Sequence, residues 1–309
     1  MTPDNGLDNY LPNYINLHKT GELQKRVSPL KEKLKSCTVC PHHCKVDRLK
    51  NERGICGAGK DMAIASYGPH FGEENVLVGN GGSGTVFFSH CALQCVFCQN
   101  YDISCHGGGS RISATGLADI MLTLQARGCH NINFVTPSHF VPQIVESLPF
   151  AVEGGLELPL VYNSGGYDDI DTLKLLDGII DIYMPDLKFS DNKIAKKYTK
   201  APNYFDTARL ALIEMRRQVG DLKTDSAGRA YKGLLVRHLV MPENLAGTEK
   251  IMEFISREIS EDTMVNVMGQ YFPAHRAHTF PELSRRVNGS EYNKAVQCAR
   301  KSGLKRAIT

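Results

Sequence analysis

The chain has no run of about 20 apolar residues, the length a helix needs to cross a bilayer, so no membrane span is expected. It has no strong excess of either charge: 36 Lys and Arg against 33 Asp and Glu leave +3, which indicates neither a nucleic-acid nor a membrane partner. The opening stretch, MTPDNGLDNYLPNYINLHKTG, has no basic start and no apolar core, so a secretory signal is not expected. The glycine-rich stretch at residues 79–84 is not a phosphate-binding loop, because neither a lysine nor a helical pattern follows it; it reads as a turn.

What remains is enough for a sizeable core. At 309 residues and 42% hydrophobic content, the chain suits one large α/β domain or two smaller ones. Of its ten cysteines, seven fall in two tight clusters, which favours metal binding in a reducing compartment over disulfides and implies a cytoplasmic protein. Cys105, Cys129 and Cys298 are scattered and read as buried or incidental thiols.

Residues 86–100, VFFSHCALQCVFCQN, organise the rest of the chain. The β-branched and aromatic run at 86–88 predicts a buried strand, which opens into a loop carrying Cys91, Cys95 and Cys98 in a C-x3-C-x2-C pattern with Phe97 before the last cysteine. Three thiolates on one loop suit three irons of a four-iron cluster and leave the fourth iron open to an outside ligand. Zinc, the alternative, favours four ligands.

This motif at the end of a first strand resembles the radical S-adenosylmethionine (SAM) superfamily. The resemblance implies a [4Fe-4S] cluster on Cys91, Cys95 and Cys98, with SAM chelating the open iron through its amino and carboxylate groups. It implies reductive cleavage of SAM to methionine and a 5′-deoxyadenosyl radical, fed by an electron donor such as flavodoxin or ferredoxin. The branch it most resembles lies near the pyruvate formate-lyase activating enzymes, whose target is a protein glycine. Three functions stay open: activation of a glycyl radical enzyme, SAM-dependent methyl or group transfer to RNA or a small molecule, and a non-enzymatic metal scaffold.

Upstream, residues 1–36 read as an irregular wrap with a short helix. Cys37, Cys40, Cys44 and Cys56 follow in a C-x2-C-x3-C-x11-C pattern, four thiolates that suit a structural zinc or a second iron-sulfur cluster. Gly54 and Gly57 would let the backbone turn tightly there, and His42 and His43 are expected beside the site. We divide the chain into an N-terminal extension with this knuckle (1–80), a core (81–275) and a C-terminal helical segment (276–309).

The core alternates. Predicted strands at 86–88, 132–136, 158–163, 179–184, 233–240 and 264–269 are separated by helical patterns such as Leu117, Ile120, Met121 and Leu124. Gly128 is placed at a helix C-terminus, and Asp168 and Ser138 are expected to cap helices. Six such units predict a partial (βα)6 TIM-like barrel, which is also the core that the resemblance implies. Ligands of such sheets bind at the carboxyl ends of the strands.

The polar residues there are therefore the candidates. Asn163 and Ser164, past strand three, are expected to contact SAM, with Phe97 beside it. Asp186 and Lys188, past strand four, match the Asp-Leu-Lys segment of the activating enzymes and are the catalytic candidates; Lys188 suits a SAM carboxylate, and a local surface ion pair is the alternative. Arg237 resembles the strand arginine that bonds SAM in those enzymes, and period-two alternation turns His238 to the opposite face. The Gly-Gly-Glu-type turn of the family is absent after strand two, where Thr136, Ser138 and His139 stand instead. Gln270 and Tyr271 are candidates for the substrate side.

Overall fold

The computed structural model describes residues 10–308; residues 1–9 of the expected N-terminal wrap lie outside them. Ten strands form a mixed, mostly parallel sheet among the described residues. They are β1 (Met62–His70), β2 (Ser83–Phe88), β3 (Ser110–Ile112), β4 (Ile132–Val135), β5 (Leu160–Ser164), β6 (Ile182–Pro185), β7 (Lys223–Thr224), β8 (Ala230–Leu239), β9 (Met264–Met268) and β10 (Arg306–Ile308). The order across the sheet is β10-β9-β8-β6-β5-β4-β2-β1-β3, with β7 paired to β8.

The six strands from β2 through β4, β5, β6 and β8 to β9 lie side by side in chain order, each parallel to the next. These are the six predicted from alternation, with ends shifted by up to three residues. The unpredicted strands sit mainly at the margins. β1 runs antiparallel between β2 and β3, and its MAIASYGPH sequence lacks a clean period of two; Pro69 is tolerated because β3 pairs only with Met62 to Ile64, leaving that end at the edge.

The parallel sheet is buried on both faces, as crossover helices require. One set of side chains, Val161, Ile182, Met184, Leu235 and Met264, packs with Leu77 in an inner cluster. The alternate set packs outward against helices including Ala114–Ala126, Val141–Glu153 and Tyr204–Val219. Gly128, at φ +82°, follows the Arg127 C-cap as expected, a left-handed position that favours glycine. The two expected caps are different residues. Asp169, not Asp168, caps the helix Ile170–Lys174 by accepting from the Thr172 N–H, and Ser138 opens a 3-10 turn with its hydroxyl turned elsewhere. None of the described helices is long and apolar enough to cross a membrane.

The segment before the knuckle is more ordered than predicted, with helices Asn13–Lys19 and Glu22–Glu32. Leu23, Leu30, Cys40 and Cys56 belong to the same hydrophobic cluster as the core. Buried Arg48 ties the knuckle inward, donating from Nε to the Gly59 carbonyl at 3.0 Å and from Nη1 to the His139 carbonyl at 2.7 Å.

At the amino ends of β5 and β6, Asp181 is buried and accepts from the Tyr10 hydroxyl at 2.5 Å and the Leu160 N–H at 2.8 Å. Burial outweighs both bonds and lifts its carboxyl from the ordinary 3.8 to about 7. The folded state therefore holds a proton that the unfolded chain has lost, so this group's stabilising contribution is full below pH 3.8 and drains away as pH rises toward about 7. Urea unfolding across that window should show wild-type stability falling relative to Asp181→Asn; parallel pH profiles would contradict it.

Candidate functional site

The cysteine loop leaves β2 at its carboxyl end. His90 and Gln94 adopt left-handed backbone, at φ +73° and +49°, so the chain folds back on itself. The Gln94 side chain fastens this turn, donating to the carbonyls of Cys91 at 2.9 Å and Ser104 at 3.0 Å. Cys98 Sγ lies 3.1 Å from Ser104 Oγ, and the Leu93 N–H points at Cys91 Sγ from 3.4 Å.

Cys91, Cys95 and Cys98 line a cavity of about 280 Å³ at the carboxyl ends of the parallel strands. Phe97, Asn163, Ser164, Asp186, Lys188 and Arg237 line the same cavity, as do Thr136 and Gln270. The structure thus brings most of the core residues that the sequence nominated into one cavity, Ser138, His139 and Tyr271 excepted. His139 and Tyr271 fall outside it: His139 is held by the Ser89 carbonyl at 2.8 Å, and the buried Tyr271 hydroxyl donates to Leu283. His238 turns away from the cavity, bonded to the Leu187 carbonyl and the Thr248 hydroxyl, while Arg237 takes the inward position.

Arg237 is a hub. Its Nε donates to Asp186 at 2.9 Å, its Nη2 to Asn163 Oδ1 at 2.7 Å and its Nη1 to Glu73 at 3.4 Å. Lys188 Nζ pairs with the other oxygen of Asp186. The side chains of Asp186 and Lys188 are only 14% and 16% exposed, so the pair is buried rather than a surface contact. Burial works against the Asp186 charge, but Arg237 and Lys188 outweigh it and hold the carboxyl below its ordinary range. Burial likewise opposes the Lys188 ammonium, and Asp186 and Cys95 overcome it, raising its pKa. Two cations thus face two carboxyl groups, whereas the sequence offered only the cations and one acid.

Burial pushes the Cys91 thiol up to about 12 and raises those of Cys95 and Cys98; Lys188 pulls all three the other way. Lys188 therefore favours the thiolate form that a soft metal needs at each of them.

Donor and acceptor roles at the cavity wall follow from chemistry. Arg237 can only donate, so the Asn163 oxygen faces it and the amide NH2 remains as a donor. Ser164 gives its hydroxyl hydrogen to Asp168 at 2.6 Å and is left as an acceptor. Buried Asp168 also takes hydrogen bonds from Ser138 at 2.6 Å and Tyr162 at 2.9 Å, which fixes the ends of β4 and β5 relative to each other.

Several of these residues escaped the sequence reading. Glu73 arrives from the β1–β2 connection, and its neighbour Glu74 accepts from Asn266 on β9 at 2.8 Å. The signal was an acid pair one residue before an apolar run, together with asparagines in otherwise apolar strands at 133 and 266. Tyr204 joins two strand ends: its hydroxyl reaches the carbonyls of Gly165 and Asp186 at 2.8 and 3.0 Å and receives the Lys188 N–H at 3.0 Å. Gly166 makes the close approach possible. It sits at φ +76°, and a Cβ there would overlap the Asp186 carbonyl oxygen. Gly166→Ala should destabilise the protein by about 1–3 kcal/mol in urea unfolding, from overpacking and left-handed strain; an unchanged midpoint would show that the two strand ends can part freely.

In the knuckle, burial raises the Cys40 thiol, and Cys56, Cys37 and Cys44 raise it further, so the four are electrostatic neighbours. A Cβ on Gly54 would sit 2.6 Å from Cys44 Sγ, which is why glycine stands there. His42 and His43 bond elsewhere, to the Ala92 carbonyl and to Asp169, each at 2.8 Å.

Among the described residues, no three or more His, Cys, Asp or Glu side chains form a group that would hold a metal ion. A four-iron cluster does not ask its thiolates to meet at one ion; each binds a different iron, and the need is for soft ligands around a shared space. Cys91, Cys95 and Cys98 line one shared cavity. In the knuckle, a closed tetrahedral site requires the four thiols to turn toward one point.

The chain matches no protein-family model. It is similar to the uncharacterized protein MJ0674 of Methanocaldococcus jannaschii, with 33% identity over 307 residues, covering 96% of this chain and 84% of that protein. At that identity and coverage, the chain belongs to the same family as this archaeal protein.

Proposed function

We propose that the protein is a radical SAM enzyme of the kind that resembles pyruvate formate-lyase activating enzyme, acting on a protein glycine or a small molecule. In this reading the six parallel strands are the staves of a partial barrel, and Cys91, Cys95 and Cys98 hold a [4Fe-4S] cluster. Asn163, Ser164, Lys188 and Arg237, with Phe97, hold SAM. Bound together, cluster and SAM supply one-electron cleavage of the sulfonium to a 5′-deoxyadenosyl radical.

One observation carries the reading: three cysteines share a cavity with a lysine, an arginine, an amide donor and a hydroxyl acceptor, all at the carboxyl ends of the parallel strands. Such a wall is complementary to a ligand with a carboxylate, hydroxyls and an amino group. Arg237 keeps two of its five N–H groups uncommitted after bonding Asp186, Asn163 and Glu73, so it can still meet a carboxylate. Asp186 does not need to touch a ligand to matter; it holds the Lys188 ammonium and the Arg237 fork in place. Phe97, packed on Phe189 and Tyr271 at ring distances of 6.0 and 6.1 Å, forms an apolar side of the cavity. Cys37, Cys40, Cys44 and Cys56 hold a second, structural metal in the same proposal.

Anaerobic reconstitution with iron and sulfide, reduction by dithionite and product analysis test this directly. The expected products are 5′-deoxyadenosine and methionine in equal amounts, with metal beyond one four-iron cluster lost when the knuckle cysteines are replaced. S-Adenosylhomocysteine as the main product would point to methyl transfer, and intact SAM to a scaffold.

A further inference from the structure

Arg48 stands inside the knuckle, between Cys44 and Cys56, and its side chain is buried at 1% exposure. A guanidinium keeps its charge in a protein, so burying one without an opposite charge is costly. Lys188 and Arg237, also largely buried, have Asp186 for this purpose. Arg48 forms no ion pair among the described residues, and its Nη2 has no hydrogen-bond partner. What touches it is neutral. Nε and Nη1 donate to the carbonyls of Gly59 and His139, and the guanidinium lies over the Phe140 ring at 5.7 Å. His90 and His139 also feel its charge; burial lowers the pKa of both, and Arg48 adds to it, so neither imidazole supplies negative charge.

The acidic groups beside Arg48 are thiols. Gly59, which accepts from Arg48, lies three residues past Cys56, and the Ala58 N–H between them points at Cys56 Sγ from 3.5 Å. Burial raises the Cys56 thiol, and Arg48 is the strongest influence pulling it back. Four neutral thiols leave the arginine uncompensated, and four bare thiolates repel one another. A divalent ion on four thiolates carries a net double negative charge, which a neighbouring buried cation offsets. Two features of the structure fit such a centre: the orphaned Arg48 Nη2, and Gly54, whose missing Cβ leaves room for Cys44 Sγ.

We propose that Arg48 is the counter-charge of a doubly negative metal–tetrathiolate centre on Cys37, Cys40, Cys44 and Cys56. The proposal rests on the structural-metal reading of the knuckle given above, not on SAM chemistry in the core. Arg48 is then a positioning residue with a reach beyond the knuckle. It holds the His139 carbonyl, and His139 Nε2 bonds the Ser89 carbonyl two residues before Cys91.

The test titrates cobalt(II), whose thiolate charge-transfer bands report ligation, into the full chain carrying Cys91→Ala, Cys95→Ala and Cys98→Ala. In that background Arg48→Gln removes the charge but keeps a donor, and Arg48→Lys keeps the charge but loses the fork. Arg48→Gln should bind cobalt about 10- to 100-fold more weakly, the usual cost of losing an outer partner of a metal ligand, and Arg48→Lys should recover most of that loss. Zinc should raise the urea midpoint less in Arg48→Gln than in the chain with Arg48, because weaker binding stabilises less. A merely structural role lowers the midpoints with and without zinc alike and leaves cobalt affinity untouched. That result, or Arg48→Lys binding as weakly as Arg48→Gln, would overturn the proposal. A [4Fe-4S] cluster on four thiolates carries the same net charge, so iron with sulfide is the second arm. If the knuckle loads these instead, Arg48→Gln should load less, and equal loading would again overturn the proposal. If the chain with Arg48 takes up neither metal at the four cysteines, the structural-metal reading fails and the role of Arg48 falls with it, while the reading of the core stands.

Discussion

With the proposed cluster on these cysteines, Cys95→Ala loses iron and with it all cleavage of SAM, and Cys91→Ala and Cys98→Ala behave alike. Three thiolates are the fewest that can hold three irons of a cubane, and removing one leaves an iron without protein ligand beside an apolar wall. The replacement is small enough to fold. Cys95 is buried at 7% exposure, and trimming its sulfur removes little apolar area, so the far-ultraviolet spectrum should match wild type. Loss of iron with retained fold separates a ligand from a packing residue. Wild-type iron content in any one of the three variants would show that its cysteine is not a ligand. The same logic makes cluster assembly pH-dependent in a definite direction: burial favours the neutral thiols, so acid opposes loading and base promotes it.

Asp186→Asn will be the most destabilising single change at the polar end of the sheet, by about 3–5 kcal/mol, because it leaves buried cations without their counter-charge. Asp186 is the only carboxylate that meets both Lys188 and Arg237 among the described residues. The amide keeps the shape of the side chain and one acceptor, so the effect isolates charge from packing. Arg237 retains Glu73 at 3.4 Å, and Lys188 retains no carboxylate. Lys188 should then lose its proton at a lower pH, since burial is the force that Asp186 had been opposing. Urea unfolding of the variant gives the energy. A loss under about 1 kcal/mol would mean that the network is solvated like a surface pair.

What the sequence disclosed and what it concealed divide by chain distance. The cysteine spacing, the strand that delivers it and the alternation of apolar runs are local patterns, and each core strand was recognisable from its own residues. The inward turn of Arg237 and outward turn of His238 also follow from a period of two within one strand. The contacts that tune the site are not local. Glu73 meets Arg237 across about half the chain, Tyr204 bridges two strand ends from a helix, and Ser138 finds Asp168 instead of capping a helix. A serine before a helical pattern has two uses for its hydroxyl, and only the fold decides between them. Strand β1 was hidden for another reason: as a neighbour of the edge it is only half buried along its length, which blurs its alternation.

The central claim is that one cluster on three cysteines keeps an iron open to SAM. Electron paramagnetic resonance of the reconstituted, dithionite-reduced protein, recorded with and without SAM, tests it most directly. The account predicts the signal of one reduced [4Fe-4S] cluster per chain, its g-values shifted by SAM and its intensity lost in Cys95→Ala. A cluster signal that SAM leaves unchanged, or one that survives in Cys95→Ala, would contradict it.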